Sequence, residues 1–330
     1  MEIARGVIVA TPTPQEPPWS SVGSGPKPLV PVATKPILFH TLEAMRAAGV
    51  LEAALLTEAH TRESFRVAVG DGSAWDMKIT YVTCEVEAGI DVALSIANGF
   101  IDGEPVLIQR ADVILRERLS DHIVGFAREN LDVLALMLPP PHSKRPLPRL
   151  AGGYLLSPSA VAMMIDGHDA RDPLARLRRH GSHVRVLDVE GCLACHGSES
   201  SLLAANRHAL AGIKSEISGA TLEAAEIQGP VIIHPTATLQ NTLIRGPAII
   251  GPRTRIVDSY VGPYTSIGSD VRVEGTEIEH SIVMNDAQLL FVGSRLETSI
   301  IGRGASIVRR FDVPSAVRMS IGNGARVALS

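Results

Sequence analysis

From Ile227 to Leu289 apolar residues return every five or six positions, an interval that no ordinary helix or strand produces. Ile233, Leu239, Ile244, Ile250, Ile256, Val261, Ile267, Val273, Ile278, Val283 and Leu289 form the series, and Leu296, Ile301 and Ile307 continue it. A helix repeats its buried face about every 3.6 residues and a strand about every 2. The triplets Ile233-His234-Pro235, Ile250-Gly251-Pro252 and Ile267-Gly268-Ser269 recur at intervals of 17 residues. A coil of three short strands per turn, each pointing one aliphatic side chain inward, gives that pattern, and a fixed period of this kind reads as a solenoid. Residues 216–330 are therefore expected to form a parallel β-helix of hexapeptide repeats. A chance-patterned β-sandwich is the competing reading.

Residues 1–215 follow another rule. Short apolar runs alternate there with helical patterns: Val7–Ala10, Ala53–Thr57, Ile79–Val82, Val106–Ile108, Val133–Leu138, Gly153–Leu156 and Val184–Val189 read as strands. Phe39–Ala48, closed by Gly49, reads as a helix, as do Ile90–Ala97, Pro158–Asp166, Pro173–Arg179 and Ser198–Leu210. Strands separated by helices predict βαβ units and a mostly parallel, Rossmann-like α/β sheet. Pro139-Pro140-Pro141 to Pro148 marks an exposed loop. In such a domain the loop after the first strand is where phosphates are held, which draws attention to Gly6–Leu38.

Composition removes several function classes. The net charge of −4 offers no field for a nucleic-acid backbone. No apolar run reaches membrane-spanning length, and Met1–Arg5 carries no export pattern. A cytoplasmic protein with its three cysteines reduced is expected. Aromatics make up 4% of the chain, so its cores must be aliphatic.

Four segments carry a resemblance: GPKPLVPVATKPIL, GDGSAWDMKITYV, Ala205-Asn206-Arg207, and RGPAIIGPRTRIVDSYVGPYTSIG followed by EIEHSIV. Together they resemble the sugar-phosphate nucleotidylyltransferases over essentially the whole chain, above all the long form of glucose-1-phosphate thymidylyltransferase. The resemblance implies a nucleotidyltransferase α/β domain followed by a left-handed β-helix. It also implies a reaction in which a sugar 1-phosphate attacks the α-phosphate of a nucleoside triphosphate and releases pyrophosphate. That chemistry needs cations and backbone donors around the phosphates, with Mg2+ held by carboxylates. By the same resemblance, nucleotide or sugar binding falls on Ala10, Thr11, Lys27, Gly89, Asp112 and Gly153. Lys27 is the phosphate contact and Asp112 the first Mg2+ ligand.

Other parts of that pattern are missing. Where the family has Gly-Gly-x-Gly-Thr-Arg, this chain reads Thr11-Pro12-Thr13-Pro14-Gln15-Glu16-Pro17-Pro18. Prolines donate no N–H, and Glu16 has the wrong sign for a phosphate. The base-reading glutamine falls on Cys84, which lacks paired amide contacts. The second Mg2+ aspartate falls within Gly191-Cys192-Leu193-Ala194-Cys195-His196-Gly197, where Cys and His suit Mg2+ poorly. The sugar-side Glu-Lys-Pro segment is absent, and Lys144 is no secure replacement.

Remaining constellations weigh less. Cys192, Cys195 and His196 match the spacing of haem attachment and of redox or zinc sites, yet they read better as incidental thiols near the site. His234 and His280 are general-base candidates by analogy with β-helix acyltransferases, although a structural role is favoured. Asp258, Ser259 and Tyr260 read as corner residues on an assembly surface. Two functions stay open. One is a catalytically degenerate protein that binds nucleotide or sugar phosphate and serves as a regulatory or structural partner, as a homo-oligomer or beside an active homologue. The other is an active enzyme with a rebuilt, Mg2+-dependent site for a sugar or cyclitol phosphate.

Overall fold

The computed structural model describes residues 3–11, 25–84, 90–138, 151–166, 173–193 and 199–309. In the α/β domain the strands are β1 (Arg5–Val9), β2 (Pro31–Val32), β3 (Lys35–Pro36), β4 (Glu52–Thr57), β5 (Lys78–Thr83), β6 (Val106–Arg110), β7 (Val113–Leu115), β8 (Val133–Met137), β9 (Ala151–Leu156), β10 (Val184–Asp188) and β11 (Gly191–Leu193). Its helices are α1 (Ile37–Ala47), α2 (Arg62–Val69), α3 (Ile90–Ile101), α4 (Leu119–Arg128), α5 (Pro158–Ile165), α6 (Pro173–Arg179) and α7 (Glu199–Leu210).

Seven strands form one sheet in the order β10-β8-β9-β6-β1-β4-β5. Pairs β1/β4, β1/β6, β4/β5 and β8/β10 are parallel, while β9 runs antiparallel to both neighbours. Strand residues alternate between two cores: Ile8 packs with α1, α2 and α4, whereas Val7 and Val9 pack with α3, α5 and α6. This gives the expected mostly parallel three-layer domain. Helix α1 shows why the pattern works: Ile37, Leu38, Thr41, Leu42 and Met45 form one buried stripe. Gly49 then ends the helix at φ +94°, the left-handed position glycine fills most easily. Helices α2 and α4 were absent from the sequence expectation. Helix α2 buries only Phe65 and Val69, a stripe too thin to register. In α4, Leu119, His122, Ile123 and Phe126 do keep helical spacing, and His122 is the polar residue that interrupts it.

The chain then coils into a parallel β-helix. One ladder stacks Val231–Ile233, Ala248–Ile250, Thr265–Ile267, Ile282–Val283 and Ile300–Ile301. Its inward column is Ile233, Ile250, Ile267, Val283 and Ile301. A second column runs Leu239, Ile256, Val273, Leu289 and Ile307, and a third Ile227, Ile244, Val261, Ile278 and Leu296. Each residue of the sequence period thus meets its counterpart one coil above. Burying each such side chain contributes about 1.5–3 kcal/mol.

The corners need left-handed backbone, and Ala224, Asn241, Asp258, Gly275 and Phe291 supply it at φ between +47° and +56°. Asn241 and Asp258 add a corner ladder, Nδ2 donating to Oδ1 at 2.7 Å. At Gly246 the coils approach so closely that a Cβ would stand 2.0 Å from the Pro230 carbonyl oxygen. Ser259, expected on an assembly surface, is instead buried, its hydroxyl donating to the Val257 carbonyl at 2.6 Å and accepting from Thr276 N–H. Asp258 is exposed, and Tyr260 lies half-buried beneath the Arg295 guanidinium.

Helix α7 joins the two parts. Leu202, Ala205 and Leu210 pack with Val32, Ala33 and Ile37 on one side and with Ile282 and Met284 of the β-helix on the other. Asn206, 1% exposed, sits at the centre. Its Oδ1 accepts from Ala33 N–H at 2.9 Å and from the Ser266 hydroxyl at 2.8 Å, and its Nδ2 donates to the Tyr264 carbonyl at 3.0 Å. Ala33 and Thr34 form the two-residue turn between β2 and β3 with φ of +49° and +70°. This mirror-image turn suits the twist of a hairpin but strains residues that carry a Cβ. Asn206 ties it down.

Candidate functional site

A cleft of about 280 Å³ opens at the C-terminal ends of β1, β4 and β6. The chain runs from β1 to β4 and β5 on one side, then returns to place β6 on the other. That reversal is the switch point at which open α/β sheets bind ligands. Ladder bonds continue past the strands and fix its floor: Ala10 N–H donates to the Leu56 carbonyl, and Ala111 N–H to that of Val9.

Of the six expected binding residues, Ala10, Thr11, Lys27 and Asp112 line this cleft. Lys27 begins a single 3-10 turn, Lys27–Leu29, flanked by Pro26 and containing Pro28. The prolines preset φ, and Val30 N–H closes the turn on the Lys27 carbonyl at 3.0 Å. Thr11 is buried, and its hydroxyl has no partner among the described residues. Glu58, His60 and Ser64 complete the opposite wall. The sequence reading missed them, although Glu58 follows a strand on the switch-point side of the sheet, where such residues belong.

Gly153 lies elsewhere. It pairs with Gln109 across β9 and β6, is not among the cleft's lining residues, and would bring a Cβ to 2.8 Å from the Ile108 carbonyl oxygen. Close strand packing accounts for this glycine. Cys84 is 1% exposed, in the core beneath α3, and is likewise absent from the lining. Gly89, Lys144, Cys195, His196 and the Pro12–Pro18 stretch lie outside the described residues. His234 and His280 sit at β-helix corners. His234 Nδ1 accepts from Thr236 N–H at 3.2 Å, and His280 stacks on Tyr264 at 5.4 Å, so both make contacts within the coil.

The decisive contact is at Asp112, 6% exposed. Arg110 meets it edge-on, Nε donating to Oδ1 at 2.9 Å and Nη2 to Oδ2 at 2.7 Å. The planar fork matches a carboxylate with two parallel bonds, and both oxygens are engaged. Breaking such a buried pair by removing one partner typically costs about 3–5 kcal/mol. Strand β11 pairs antiparallel with β7, Leu193 opposite Val113, so the start of the segment matching the second metal aspartate runs beside the strand that follows Asp112. That segment holds no acidic residue. Among the described residues no group of three or more His, Cys, Asp or Glu converges as a metal site. The described residues do not fit the Mg2+ that the resemblance implies. Among the described residues that line the cleft, Lys27 is set against Glu58 and Asp112, and Asp112 is paired with Arg110, so these residues carry no cationic excess.

Comparison with known proteins follows the same lines. The nucleotidyl transferase family model matches residues 23–146. Glucose-1-phosphate thymidylyltransferases of Streptomyces griseus and Streptomyces antibioticus are each 30% identical over 335 residues, covering 92% of this chain and 94% and 93% of theirs. The low-salt glycan biosynthesis nucleotidyltransferase of Haloferax volcanii is 30% identical across 93% of this chain and 95% of its own. A Bacillus anthracis protein assigned as a glucose-1-phosphate thymidylyltransferase and solved with sucrose has the same fold over 64% of this chain and 97% of its own, with a TM-score of 0.52 at 17% identity. Full-length similarity at this level, on a switch-point cleft followed by a β-helix, places the chain in the sugar-phosphate nucleotidyltransferase family.

Proposed function

We propose that this chain is a non-catalytic member of its family. It holds a nucleotide or sugar phosphate weakly in the β1/β4/β6 cleft and acts as a regulatory or structural partner, in the cytoplasm, as a homo-oligomer or beside an active homologue. One observation carries this reading: among the described residues that line the cleft, Lys27 is the one lysine or arginine, it stands with Glu58, and Asp112 is already paired with Arg110. Nucleotidyl transfer gathers negative charge at the α-phosphate, and with little covalent work to do, catalysis rests on compensating that charge. Loss of a phosphate-facing arginine alone lowers such rates by about 10³-fold or more, roughly 4 kcal/mol. In this chain the glycine-arginine loop is also replaced by prolines and Glu16.

A second reading, an active enzyme with a rebuilt site, draws on the 30% identity with glucose-1-phosphate thymidylyltransferases along 92% of the chain. The two differ in one assay, pyrophosphate release with Mg2+, a panel of nucleoside triphosphates including dTTP, and sugar or cyclitol 1-phosphates including glucose 1-phosphate. The expected result is release no faster than the blank. Turnover that disappears in Lys27→Ala would overturn the non-catalytic reading.

A further inference from the structure

We propose that Arg110 excludes divalent cations from this cleft. Its guanidinium holds the place a metal ion would take at Asp112, so whatever phosphate-bearing anion enters is bound without one. The inference rests on the cleft being the ligand site, and it does not require that turnover be absent.

Three observations support it. Both Asp112 oxygens already accept charge-assisted bonds, at 2.9 and 2.7 Å, so neither is turned toward the cleft unpaired. The side chains of the pair are 18% and 8% exposed, which leaves little water to screen a second positive centre from the guanidinium. Arg110 closes β6, its Cα in register with that of Val9, so the backbone below the fork belongs to the central ladder rather than to a loop. Mg2+ demands near-octahedral oxygen ligands and dehydrates reluctantly. Here it would have to displace the fork and remain beside the displaced cation. The stretch 191–197, which begins as the strand paired with β7, contains no acidic residue to share the load.

The test is a Mn2+ titration of the full chain, following the free aquo ion by electron paramagnetic resonance. Wild type, Asp112→Asn, Arg110→Met and the double variant are compared. Wild type and Asp112→Asn should give the same isotherm. Arg110→Met frees the carboxylate and should bind Mn2+ about tenfold more tightly than wild type or better, a gain that vanishes in the double variant. Wild-type binding that weakens about tenfold in Asp112→Asn overturns the proposal, and so does a folded Arg110→Met with no gain. Should Arg110→Met not fold, the comparison of wild type with Asp112→Asn decides. Pyrophosphate release in the same preparations reports separately on turnover: a metal-excluding site that still turns over leaves this inference standing and removes the non-catalytic reading.

Discussion

Replacing Asn206 by alanine should uncouple the two halves of the molecule. The side chain makes three bonds, to Ala33 N–H, the Ser266 hydroxyl and the Tyr264 carbonyl, from a position that is 1% exposed. Truncation leaves the Ala33 N–H without an acceptor in a turn already strained at φ +49° and +70°. A buried donor left unpaired costs about 1–3 kcal/mol. The Ser266 hydroxyl can rotate and recover part of its bond, and the small void adds about 1 kcal/mol. The total comes to about 2–4 kcal/mol, toward the upper end for a single substitution. Urea unfolding measures it with two reporters, far-UV circular dichroism for the whole chain and Trp75 fluorescence for the α/β domain. Trp75 packs edge-on against Phe39 at 4.7 Å, and a Trp19→Phe background removes the second indole. The Trp75 transition should shift to lower urea, and the circular dichroism transition should split into a first step that follows Trp75 and a later one for the β-helix. Combining Asn206→Ala with Ser266→Ala should cost about 1 kcal/mol less than the two single losses together, since both remove the same bond. A loss below about 1 kcal/mol, or full additivity, would refute Asn206 as the joint between the halves.

Two further outcomes follow from the structure. Gly246→Ala forces a Cβ to 2.0 Å from the Pro230 carbonyl oxygen, a backbone atom that cannot step aside, so it should destabilise the β-helix by about 3 kcal/mol or more; an unchanged melting temperature would show that the coils can part. His40, whose Nε2 bonds the Val32 carbonyl at 3.0 Å, has its pKa pushed down to about 4, chiefly by burial and then by Lys35. Between the ordinary value of 6.5 and that value the unfolded chain takes a proton the native state refuses, so stability is full above 6.5 and is lost as pH falls toward 4. The loss is on the order of 3 kcal/mol, and His40→Gln should flatten the slope of urea midpoint against pH across that window.

The β-helix was legible because its signal is one of stacking. Ile233, Ile250 and Ile267 each face their counterpart one coil away, so the period in the sequence is the contact in space. The parallel sheet was legible for a related reason, since Val7, Ile8 and Val9 are buried from both sides and read as a continuous apolar run. The site was only half legible. Lys27 and Asp112 were placed in the cleft by motif, and that is where the fold puts them. What the motif did not convey was the state of Asp112. Arg110 stands two residues earlier, and sequence alone does not say whether a side chain at that spacing in a bent strand end turns back onto the carboxylate or away from it. Gly153 shows the opposite limit, because its tight approach to the Ile108 carbonyl leaves no mark in the sequence. Asn206 was noticed as part of a familiar helix, but its partners lie 173 and 60 residues away and no local pattern joins them.

The coil of the C-terminal domain is also a ruler. Its corners step by 17 residues from Asn241 to Asp258, and where Ser269 reaches Asn285 in 16, Ser299 reaches back to Ser281 in 18, a short circuit made up by a long one. Each circuit advances the tip by one strand spacing, about 4.8 Å. The circuits that pack in the α7 cluster run from Ile249 through Tyr264–Ser266 and Ile282–Met284 to Ile300. Whole circuits beyond them can be added or removed without disturbing that grip, whereas part of one would turn every inward side chain outward. The distance from the cleft to the far tip therefore changes in fixed steps of one circuit, and whatever meets that tip meets it at one of a discrete set of heights.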